Sequence, residues 1–173
     1  MKKLPIGIQS FSDLRNKDFL YVDKTEAVLR LIVSGKFYFL SRPRRFGKSL
    51  LLSTIEEVFK GNKSLFENLF IYDKWDWTQK YPVICIDWSN VKHSTTEEIE
   101  QSMPLFLKRI ADAYKITLTS KYASDCFLEL IEQLHQKSGE QVVVLIDEYD
   151  MPILDALNKS PEIVDDIRQS LQS

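Results

Sequence analysis

Little in this chain belongs to the classes that composition alone can settle. Its 173 residues hold two cysteines and two histidines. Cys85 and Cys126 stand in neither a metal-binding nor a redox spacing, and both read as buried, reduced thiols, one in an apolar strand and one in a helix. His93 and His135 are isolated from each other and from any acidic cluster, which makes them surface or helix-face residues rather than ligands. Neither charge sign dominates. Lys and Arg number 23 against 25 Asp and Glu, a net charge of −2, so no global basic field argues for nucleic acid. No apolar run approaches the roughly 20 residues of a membrane-spanning helix, and no membrane partner is expected. Met1-Lys2-Lys3 is basic, but Pro5, Gly7 and Gln9 break up the adjoining residues, so no signal-peptide core forms and a cytoplasmic location is expected. Internal repeats and low-complexity segments are also missing. What remains is 44% hydrophobic and 28% charged, an ordinary globular composition. By length it is one domain, residues 1–173, large enough to bury a sizeable core.

One stretch organises the rest. Arg42-Pro43-Arg44-Arg45-Phe46-Gly47-Lys48-Ser49 comes after the apolar run Phe37-Tyr38-Phe39-Leu40 and precedes Leu50-Leu51-Leu52. The pattern predicts a buried strand near 37–41, a loop, and a helix from Lys48 to about Lys60, closed by Gly61. Gly-Lys-Ser at a helix start is the end of a P-loop, or Walker A motif. Helix N-termini present unpaired N–H groups and a partial positive charge, which suits phosphate. Gly47 lets the backbone come close. Lys48 supplies a point charge for the β- and γ-phosphates, and the Ser49 hydroxyl suits Mg²⁺. The full pattern wants glycine where Arg42 stands, so a helix opening by chance on Gly-Lys-Ser beside a solvated basic loop is the alternative.

A second stretch bears on that choice. Gln141-Val142-Val143-Val144-Leu145-Ile146 is continuous, apolar and β-branched, and it ends in Asp147-Glu148-Tyr149-Asp150. Such a run predicts a parallel strand buried on both faces, with acids at the end where open α/β sheets bind ligands. Asp147 has the position of a Walker B aspartate that holds Mg²⁺. Glu148 comes next, as the group that polarises the attacking water. The alternative is a buried strand that merely ends in a polar loop.

The intervening chain reads as packing. Phe11, Phe19 and Tyr21 suit core packing better than stacking on a base. Asp23 and Glu26 resemble a capping box for a helix whose apolar face is Ala27, Val28, Leu31 and Ile32, and which ends at Gly35. Residues 62–81 are aromatic-rich and read as a packed irregular segment. A strand over 82–88 ends in Asp87, a turn former. Thr95-Thr96-Glu97-Glu98 is a capping box opening a helix that Pro104 should kink. Another helix covers about 122–137, and a helix-rich tail, 152–172, carries Pro152 and Pro161.

Four stretches together resemble the predicted AAA-ATPase-like family of bacteria. They are Leu4-Pro5-Ile6-Gly7-Ile8, Tyr21-Val22-Asp23-Lys24-Thr25, the loop 42–49 and Leu145-Ile146-Asp147-Glu148-Tyr149-Asp150, in the family's order. The resemblance makes Arg42 part of the family's own form of the loop. It implies an α/β P-loop NTPase of the additional-strand type, a three-layer α/β/α arrangement on a parallel sheet. It also implies ATP held by Arg42, Pro43, Arg44, Arg45, Phe46, Gly47, Lys48, Ser49 and Leu50. Lys48 and Glu148 are then catalytic, with Mg²⁺ on Ser49 and Asp147.

Longer relatives continue into further ATPase strands and often a nuclease-like domain. After Asp150 only 23 residues remain, and none reads as a buried strand. The sheet should therefore be incomplete: three strands, with 82–88 pairing in parallel with 141–147. The strand 37–41 should then lie beyond a vacant slot, roughly 10 Å away. Two functional readings stand side by side. One is Mg²⁺-dependent ATP hydrolysis. The other is a non-catalytic nucleotide-binding or interaction module. A homo-oligomer or the missing C-terminal region would be the partner, and nucleic acid only through the nuclease-like domain.

Overall fold

The computed structural model describes residues 2–43, 45–157 and 164–167. Two compact units divide the chain, Met1–Val83 and Ile84–Ser173. Arg44, Pro161 and the tail residues 158–163 and 168–173 lie outside the described residues.

The first unit is helical. Helix α1 covers Phe11–Asn16, α2 covers Thr25–Ser34 and α3 covers Lys48–Phe59, with a single 3₁₀ turn after it at Lys63–Phe66. Its core is aromatic. Phe11 is fully buried between Tyr21, edge-on at 5.2 Å, and Phe66 at 4.8 Å, and Phe66 meets Trp77 at 4.9 Å. Edge-on and tilted rings at these distances attract beyond simple area burial. Residues 62–81 are thus packed, as their composition implies, and the aromatics of the entry segment serve the core.

The start of α2 departs from expectation. Lys24, not Asp23, occupies the N-cap, and Glu26 pairs with Arg30 at 2.5 Å instead of reaching back. Asp23 instead ties two segments together. One carboxylate oxygen accepts from the Thr25 N–H (2.8 Å) and hydroxyl (2.7 Å), and the other from the Phe70 N–H (2.7 Å). The Thr25 hydroxyl in turn accepts from the Ile71 N–H at 3.2 Å. Asp-Lys-Thr therefore pins the start of α2 to the 70–71 turn.

The expected strand at 37–41 is not formed. Phe37 is 95% exposed and Phe39 70% exposed. A strand exists only when a neighbour supplies its hydrogen-bond ladder, and the sheet of the described residues has two members.

Those two members are β1, Val83–Asp87, and β2, Val143–Asp147, running in parallel. The predicted pairing of the 82–88 and 141–147 segments is present, in a sheet of two strands and not three. Helix α4 (Thr96–Ala113) packs on α5 (Ala123–Ser138), as the apolar spacings of both segments predict. Ile84 and Ile86 of β1, Met103 and Leu107 of α4, and Leu130 and Leu134 of α5 form the buried centre. Thr95 caps α4 by accepting from the Glu98 N–H at 3.2 Å, and Glu98 accepts in return from the Ser94 N–H at 3.0 Å. The helix continues through Pro104 as one element. Burial of β2 is one-sided: Leu145 is buried, but Ile146 is 46% exposed. Cys126 is buried and Cys85 only half-buried, and neither forms a disulfide.

Candidate functional site

The loop 42–49 belongs to the first unit. Helix α3 begins at Lys48 behind Gly47, whose backbone is left-handed at φ 75°. Nothing lies within 4 Å of where a Cβ would stand, so glycine is needed here for its backbone angle alone. Arg45 is also left-handed, at φ 67°. Two such residues turn the chain sharply into the helix. Gly47 has no side chain to cap with, so the first-turn N–H groups of Lys48, Ser49 and Leu50 face the loop without an intrahelical acceptor. The Lys48 ammonium folds back and donates to the Arg42 carbonyl at 3.1 Å, closing the loop on itself. Arg42, Pro43, Arg45 and Phe46 are exposed, and Lys48, Ser49 and Leu50 are half-buried.

The acidic turn 147–150 belongs to the second unit. Strand β2 delivers Asp147, half-buried, at its carboxyl end. One Asp147 carboxylate oxygen accepts from the Glu148 N–H at 3.0 Å. The other has no hydrogen-bond partner among the described residues. Glu148 sits in left-handed backbone at φ 51°, and its carbonyl accepts from the Met151 N–H at 3.0 Å as helix α6 (Met151–Leu157) begins. Asp87, at the end of β1, is a turn former as expected. It accepts from the Ser89 N–H, the Ser89 hydroxyl and the Asn90 amide at 2.6–2.9 Å.

Among the described residues no group of three or more His, Cys, Asp or Glu could hold a metal alone. An Mg²⁺ ion bound to a nucleotide needs no such cluster. It takes a few hard oxygens from protein, and phosphate and water supply the others. The Ser49 hydroxyl and the Asp147 carboxylate are each oxygen donors of that chemical kind.

His93 overturns its sequence reading. It is buried, its Nδ1 lies 2.5 Å from the Val91 carbonyl, and its Nε2 lies 2.9 Å from the Asp155 carboxylate. The pair spans 62 residues, and no sequence signal joins them. His135 is exposed on α5, with Nδ1 2.8 Å from the Glu140 carbonyl, as a helix-face residue should be.

The described residues define a mixed helix–strand protein with a parallel strand pair and an α/β character. The chain belongs to the predicted AAA-ATPase-like family: a family model described as a predicted AAA-ATPase matches residues 5–173. It is 47% identical over 173 residues to an uncharacterized protein in the vnfD 5′ region of Azotobacter chroococcum mcd 1. That match covers 99% of this chain and 33% of the relative, so the chain spans about a third of the curated relative's length. No solved structure matches. No helix of the described residues is long and apolar enough to cross a membrane.

Proposed function

We propose that this chain is the ATP-binding part of an Mg²⁺-dependent ATPase. The observation that carries the proposal is the uncapped N-terminus of α3 behind a left-handed glycine, with Lys48 and Ser49 in its first turn. Outward N–H groups, the helix dipole and an ammonium with three donors form a phosphate cradle. Residues 42–50 would wrap the phosphates. Ser49 and Asp147 would hold Mg²⁺, whose chemistry is to neutralise phosphate charge. Glu148, left free by Asp147, would orient and deprotonate the attacking water. Family membership supports ATP as the ligand.

Calorimetry of Mg-ATP with Lys48→Ala tests this reading. Binding should be lost, and unchanged affinity would remove the loop from the site. The second reading, a binding module without turnover, is favoured by the two-stranded sheet of the described residues. Turnover by the purified chain separates the two. If it turns over, Glu148→Gln should retain ATP and stop hydrolysis. Under either reading the partner would be a second copy or the remainder of a longer protein. Nucleic acid would enter only if that longer protein carries a nuclease-like domain.

A further inference from the structure

We infer that His93 is a positioning residue for the acid turn 147–150, acting through Asp155 and α6. The inference rests on the proposed roles of Asp147 and Glu148. The turn joins the end of β2 to the start of α6, and Glu148 holds a left-handed backbone within it. A non-glycine residue keeps that conformation only where its surroundings impose it. The upstream end is imposed by β2 pairing with β1. The downstream end is imposed by α6, whose Asp155 carboxylate meets His93 Nε2 at 2.9 Å. His93 lies a few residues beyond β1, after a 3₁₀ turn at Trp88–Asn90. Both ends of the acid turn are thus tied to one continuous segment, residues 83–93.

The tie has a chemical sign. Both ring nitrogens of His93 face oxygen acceptors, the Val91 carbonyl and the Asp155 carboxylate. Only the imidazolium donates to both at once. Among the described residues, Asp155 is the one charged group within hydrogen-bond reach of the ring. Glu98 of α4 spends its carboxylate on the Ser94 N–H, Asp87 spends its own on Ser89 and Asn90, and Lys92 is exposed. Trp88 closes one side of the ring edge-on at 6.5 Å.

The test uses amide hydrogen exchange and calorimetry on the whole chain. Asp155 is half-exposed, so Asp155→Asn leaves the core intact. It should lower protection of the Glu148 and Met151 amides about fivefold or more while Leu130 and Leu134 of α5 keep theirs. Asp155→Glu should restore it. Unchanged protection in the Asn variant overturns the tie. In calorimetry the Asn variant should lose several-fold of the Mg²⁺-dependent gain in ATP affinity and keep its affinity in EDTA. Lowered protection with an unchanged Mg²⁺ gain overturns positioning. A wild type that binds no ATP overturns the proposed function and the positioning with it, and amide exchange then reports on the tie alone.

Discussion

Asp23 shows how one side chain can decide a local arrangement. Burial works to raise its pKa, but the N–H groups of Phe70 and Thr25 and the Thr25 hydroxyl outweigh that and hold it below the usual 3.8. A lowered carboxyl pKa adds stability that is complete above the unfolded value and fades as pH falls through the folded one. Asp23→Asn should therefore cost about 1 kcal/mol at neutral pH, after allowance for solvent, and the deficit should vanish in acid. Thermal melts from neutral pH to acid, wild type against variant, check this. A constant deficit would contradict it. Glu129 on α5 works the same way at a second loop. The Thr119 N–H, then the Ser120 N–H and the two hydroxyls, hold its pKa down from 4.5 to about 2. Glu129→Gln should loosen residues 119–120. The gap in melting temperature should be present at neutral pH and close as pH falls from about 4.5 toward 2.

At the scale of elements, the entry to α3 carries the most consequence. Gly47→Ala puts a Cβ into open space, so the cost is conformational, about 1 kcal/mol or somewhat more for φ near 75°. ATP affinity in that variant should fall further than stability does, because the loop would relax away from its turn. Equal wild-type affinity would show that the left-handed turn is not part of the cradle. Helices α4 and α5 respond differently. Leu107 is fully buried between them, and Leu107→Ala should cost about 2–5 kcal/mol by denaturant melt.

For the molecule as a whole, apolar surface left uncovered is the dominant feature. Phe37 and Phe39 stand largely in solvent on one unit, and Ile146 of β2 is half-exposed on the other. Exposed apolar chain of this kind associates with itself or with a partner. Phe37→Glu should leave the stability within about 0.5 kcal/mol of wild type by denaturant melt, because nothing is unpacked. It should reduce light scattering at high concentration. A loss of stability would mean that Phe37 is covered in solution.

Local pattern was enough wherever one segment supplies its own reasons. Gly-Lys-Ser after a turn, the Thr95–Glu98 box and the spacings of α4 and α5 placed those helices because capping and periodicity act over a few residues. The β-branched run ending in Asp147 placed β2 and put its acids at the carboxyl end. Family membership was legible too, because the four motifs lie in order along the chain. Tertiary structure alone decided what depends on a distant neighbour. Phe37 to Leu40 has a strand's composition but lies outside the two-stranded sheet of the described residues, and Ile146 has a core residue's chemistry but stays 46% exposed. Asp23 found its partner at Phe70, and His93 found Asp155 across 62 residues. Burial and pairing belong to two segments at once, and no pattern within either one can state them.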